Sequence, residues 1–89
     1  PVATLMASVD TAVAAGEIEQ AAALCERALR ISPRDGYVWY RLASIRFQQQ
    51  RYSDADGFAR RALGFAGADR GLVQAIDSLL ARIAVAQRQ

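Results

Sequence analysis

An offset of 34 residues relates apolar positions across most of this chain: Leu5 to Trp39, Ala21 to Ala55, Ala28 to Ala62, Leu29 to Leu63 and Ile31 to Phe65. Within that offset the apolar residues recur at spacings of three and four, so the repeating unit is a pair of helices stacked on the next pair. The small residues matter as much as the large. Alanine where two helices cross lets their axes approach, while bulkier side chains fill the space alongside.

The helices follow in order. Between Val2 and Ala15, Leu5, Val9, Ala12 and Val13 fall at helical spacing, and Gly16 stands where a left-handed stop is needed. A second helix is expected from Glu17 to Ile31, with Ile18, Ala21, Leu24, Cys25, Ala28 and Leu29 recurring along it. Its acids come early and Arg27 and Arg30 late, as the helix dipole favours, and Ser32-Pro33 ends it. Asp35 is placed to cap a third helix that fades in the polar run from Gln48 to Arg51. Ser53 with Asp56 three residues on reads as a shortened capping box opening a fourth, with Ala55, Phe58, Ala59, Ala62 and Leu63 inward. Gly57 inside it reads as a close approach or an accident of composition. A loop is expected from Gly64 to Gly67, and Asp69 is placed to cap a fifth helix running through Leu72, Val73, Ile76, Leu79, Leu80 and Ile83 to Gln87. No stretch shows the alternation of a half-buried strand.

The third helix carries the densest chemistry, with the only Trp, two of the three Tyr and one of the three Phe. Trp39, Leu42, Ala43 and Arg46 share one side of it, a natural core stripe, while Tyr37, Tyr40, Arg41, Ser44 and Phe47 crowd another. A small stack has no second layer to bury that second stripe. Tyr40 and Phe47 are therefore expected on an open face.

Several functions are disfavoured. Eighty-nine residues with 53% hydrophobic content make one domain with one modest core. All eleven basic residues are Arg, interleaved with nine acids for a net charge of +2, which builds no single-sign field for nucleic acid or an acidic membrane. Histidine is absent, and Cys25 is the lone cysteine, expected as an inert core residue. Without a His, a phosphate loop or a ligand-spaced cysteine pair, neither a metal site nor a nucleophile–base pair can be assembled, and no cofactor is implied. No apolar run reaches the roughly 18 residues of a membrane span. The chain begins at Pro1 without Met, as an excised domain would, with any signal, anchor or linker upstream.

With Gly16, Ile18, Ala21, Ala28 and Pro33 in one unit, and Trp39, Leu42, Tyr52, Ala55 and Ala62 in the next, the chain resembles the tetratricopeptide repeat family. The resemblance implies an all-α right-handed superhelix: repeat one over residues 2–35, repeat two over 36–68 and a capping helix over 69–87. Departures are Ser8 for a Leu, Arg46 for a Tyr, Cys25 and Ala59 for aromatics, and Gly67 for the closing Pro. The family lines its ligand groove with the first helix of each pair. Carried over, this marks Met6, Asp10 and Val13, then Tyr37, Tyr40, Arg41, Ser44, Phe47 and Gln48, then Gln74, Ser78 and Arg82. The chain would be a non-enzymatic binder of a protein partner, and too few cations converge to grip a C-terminal carboxylate.

The run from Ala14 to Arg70 also resembles the repeat domains of proteobacterial outer-membrane lipoproteins that activate a class A penicillin-binding protein. That resemblance implies a monomeric domain at the periplasmic face of the outer membrane, held by a lipid anchor outside this segment. The competing expectation is a scaffold segment of a longer cytoplasmic or periplasmic protein that binds an extended peptide.

Overall fold

The computed structural model describes all 89 residues. Five α-helices follow one another: α1 Val2–Ala14, α2 Ile18–Ile31, α3 Gly36–Gln48, α4 Tyr52–Phe65 and α5 Arg70–Gln87. Short turns fold α1 against α2 and α3 against α4, and α5 closes the end of the stack. The molecule measures 36 × 31 × 19 Å, so its least dimension is two helices thick.

The core has two parts with α3 between them. Val9, Ala12, Ala21, Cys25, Ala28, Val38, Leu42 and Ile45 belong to the first, and Ala43, Ala55, Ala59, Ala62, Ile76, Leu79 and Ile83 to the second. The alanines of the 34-residue offset, Ala21 with Ala55 and Ala28 with Ala62, are all fully buried, as helix crossings require. Val38 and Ile45 are core residues outside the expected stripe. Trp39 is only half-buried; it packs against both parts, and its indole N–H donates to the Pro33 carbonyl at 2.8 Å. Burial pushes the Cys25 thiol up to about 11, so it stays protonated and inert at neutral pH.

The turns repeat as well. Gly16 has φ +77° and Gln50, 34 residues later, φ +63°. The Glu17 N–H donates to Ala12 O and the Arg51 N–H to Arg46 O, closing both turns with the same six-residue ring. The caps of α3 and α5 also correspond: the Asp35 carboxylate accepts from the Tyr37 and Val38 N–H groups, and that of Asp69 from Leu72 N–H.

Four expectations are corrected: α4 runs through Gly64 to Phe65, into the expected loop, Leu63 on it is exposed and not inward, and the cap of α4 and the place of the close approach also differ. Ser53 does not cap α4; the helix begins at Tyr52, with Arg51 at the cap position and no side-chain cap bond. The left-handed Gln50 turns the chain into the helix sooner, and the Arg51 guanidinium pairs with Asp54 at 2.8 Å instead. The close approach is at Gly36, not Gly57. A Cβ on Gly36 would stand 3.0 Å from the Phe65 carbonyl carbon and oxygen, whereas one on Gly57 would meet nothing within 4 Å.

Arg46, where the family pattern wants Tyr, is 8% exposed. It donates to Gln49 at 2.8 Å and reaches Glu19 at 3.5 Å and Glu26 at 4.0 Å on α2, tying the two hairpins together. A hydrogen bond from Gln49, opposed by some desolvation and helped by the Arg46 charge, holds the Glu19 carboxyl below its ordinary value.

Candidate protein-binding face

The Asp10–Arg41 pair joins α1 to α3 and α3 packs on α5, so these three helices share one wall of the slab. Its α1–α3 half is pinned. Arg41 on α3 pairs with Asp10 on α1 at 2.8 Å and donates to the Tyr37 hydroxyl at 2.8 Å, with its guanidinium 5.7 Å from the Tyr37 ring centre. Burial alone would lower the Arg41 pKa, but Tyr37 and Asp10 together raise it above the usual guanidinium value. The Arg41 side chain is only 18% exposed, so its charge is already matched within the chain. Tyr40 is half-buried against the second core, 6.5 Å from Tyr37 between ring centres, and Tyr37 remains 44% exposed.

The α3–α5 half is open. Phe47 rests against Tyr52, ring centres 5.5 Å apart, and Arg82 on α5 lies 4.8 Å from the Phe47 ring centre. A guanidinium over a ring face is attracted by the ring quadrupole, and here no carboxylate lies within ion-pair distance of it. Ser44, Phe47, Gln48, Leu79 and Arg82 line a recess of about 330 Å³. Beside it Phe47, Ala81, Arg82, Val85, Ala86 and Gln89 line another of about 420 Å³, and Val85 is 49% exposed.

The expected site residues thus separate into groups. Tyr37, Tyr40 and Arg41 make the pinned half; Ser44, Phe47, Gln48 and Arg82 converge at the open half. Gln74 is exposed but joins neither, lying near the α4–α5 turn with Gly67, Ala68, Arg70 and Val73. Two helical turns of α5 separate Gln74 from Arg82, too far to share one recess. Met6, expected in the groove, is 7% exposed and belongs to the first core, which residues of α1, α2 and α3 share. Val85 and Ala86 were not foreseen; in a final helix without a following partner, sequence spacing alone does not separate core from open face.

No three Cys, Asp or Glu side chains gather as a metal site would need, and no helix is long and apolar enough to cross a membrane. What the wall offers is aromatic, aliphatic and guanidinium surface, the composition of protein-binding hot spots.

Comparison with known proteins defines the class of this fold. The family model of the tetratricopeptide repeat matches residues 12–83, and the chain belongs to that family of helical protein-interaction modules. The solved structure of the globular C-terminal domain of P. aeruginosa LpoP is similar at a TM-score of 0.96 and 34% identity, covering 100% of this chain and 84% of that one. No curated protein matches in sequence.

Proposed function

We propose that this domain binds a class A penicillin-binding protein through the α3–α5 half of its wall and raises that synthase's activity. The observation that supports the reading is the 34% identity to the LpoP domain over the whole chain, joined to an open recess containing Phe47, Arg82 and Val85. The units of the domain are repeats over residues 2–35 and 36–68 with a capping helix over 69–87. The domain is non-enzymatic and needs no cofactor. It works at the periplasmic face of the outer membrane, held there by an anchor outside these residues.

The mechanism is a difference in affinity. A rigid wall that fits one conformation of the synthase better than another shifts the population toward it, and the shift cannot exceed that difference in binding free energy. Phe47, Gln48, Ser44, Arg82 and Val85 make the contact, while Tyr37, Tyr40, Arg41 and Asp10 stiffen the wall beside it. Gln74 lies at the periphery.

A Phe47→Ala, Arg82→Glu variant tests this against a purified class A penicillin-binding protein. Loss of two central contacts is expected to weaken binding by about 2 kcal/mol and to remove stimulation of glycan polymerisation. Full affinity and stimulation in a variant with unchanged helical circular dichroism would refute the assignment.

A further inference from the structure

A second surface lies at the edge where α2 and α4 end and α3 and α5 begin. The turn between α2 and α3 is held there by the Trp39 N–H on Pro33 O, and the guanidinium of Arg61 lies 5.1 Å from the centre of the same indole. The Phe65 backbone packs against Gly36, one residue beyond that turn's cap. Ile31 at the end of α2 is 51% exposed and Phe65 at the end of α4 is 42% exposed. Equivalent positions in the two hairpins thus place two apolar side chains along one edge.

Arg30 and Arg34 lie beside Ile31 and the turn that follows it in the chain, Arg61 stacks on Trp39 at that turn and Arg70 opens α5, all exposed and none within 4.0 Å of a carboxylate. Arg41, Arg46, Arg51 and Arg60 each have an acidic partner. The two acids at this edge, Asp35 and Asp69, are engaged by backbone N–H groups as helix caps. Glu17, Glu19 and Asp54 lie around the opposite turns, at the starts of α2 and α4. Four arginines against Asp35 and Asp69 leave the edge at +2, and the other seven arginines and seven acids balance, so the molecule's net charge is gathered here.

We propose that this edge docks an acidic protein segment carrying apolar side chains, as a second contact apart from the α3–α5 wall. Guanidinium groups match carboxylates with two parallel hydrogen bonds, and Arg61 is already oriented by the Trp39 ring. Complementary charge fixes register, while Ile31 and Phe65 supply the apolar contact. An anionic bilayer fits less well: Ile31 and Phe65 are isolated, with no continuous apolar helix face to insert, and the acids elsewhere keep the whole-molecule attraction low. The inference rests on the domain being a protein-binding module but not on the identity of the synthase.

Amide NMR titration with a synthetic peptide of Glu and Asp interspersed with Leu and Phe tests it. The controls are the same peptide with Lys for each acid, and phosphatidylglycerol vesicles. The acidic peptide is expected to shift the signals of Arg30, Ile31, Arg34, Arg61 and Phe65, with the lysine peptide silent. Arg30→Glu with Arg34→Glu, which leaves the Trp39–Arg61 stack intact, is expected to weaken the acidic peptide about tenfold at unchanged circular dichroism. Shifts confined to the Phe47–Arg82 recess, equal binding of the lysine peptide, unchanged affinity in the variant, or binding to vesicles but not to peptide would each overturn the proposal. Because the peptide assay contains no synthase, failure of the synthase assignment leaves its result unaffected.

Discussion

At the turn between α1 and α2 the left-handed residue is Gly16; at the matching turn between α3 and α4 it is Gln50, with the same backbone hydrogen bonds around it. The same contrast runs through both hairpins. Leu5 corresponds to Trp39, Val2 to the tightly packed Gly36, and exposed Ala23 to Gly57 with open space around it. The first hairpin has Gly at its left-handed turn and no glycine at the matching helical positions, and the second reverses both. Backbone geometry is repeated because crossing alanines and turn hydrogen bonds enforce it, while side chains beside those points are free to diverge. Two of these departures, Gly36 and Trp39, lie on α3, the helix shared by both cores.

Swapping residues between equivalent positions breaks or sharpens the contrast. The largest effect is expected for Trp39→Leu, which imports the residue of the first hairpin. It removes the bond to Pro33 and the contacts with Phe58 and Arg61, and should cost about 3 kcal/mol, read as a lower urea midpoint at unchanged slope. A midpoint within error of the parent would mean that Leu5 and Trp39 play the same part. Gly36→Ala comes next. Its methyl group would press on the Phe65 carbonyl, and forcing the α3–α4 seam open should cost about 2 kcal/mol.

Two swaps should stabilise. Gln50→Gly relieves a non-glycine residue at φ +63° and is expected to gain about 1 kcal/mol despite the freer unfolded chain. A loss instead would show that the Gln50 side chain contributes to the turn. Gly57→Ala, which gives α4 the residue that α2 already has, should gain about 0.8 kcal/mol, visible as a raised thermal midpoint.

The same positions mark what was legible beforehand. Five helices, the 34-residue stack and the caps at Asp35 and Asp69 follow from local rules: apolar spacing, small residues at crossings, and carboxylates before free N–H groups. The Ser53 capping box failed because one competing local event, the left-handed Gln50, set the helix start earlier. Arg46 could be placed on the core stripe but not paired, since Glu19 lies 27 residues away and only the stack brings them together. The division of the wall was illegible for the same reason. Arg41 and Arg82 are both arginines near aromatic rings, and only the α1–α3 approach reveals that Asp10 has matched one of them.

That division carries the functional account, and amide NMR on the labelled domain with a purified class A penicillin-binding protein tests it most directly. The account predicts perturbations centred on Ser44, Phe47, Gln48, Arg82 and Val85, with Asp10, Tyr37 and Arg41 little changed. Perturbations centred instead on Asp10, Tyr37 and Arg41, or none at a saturating concentration of the synthase, would contradict it.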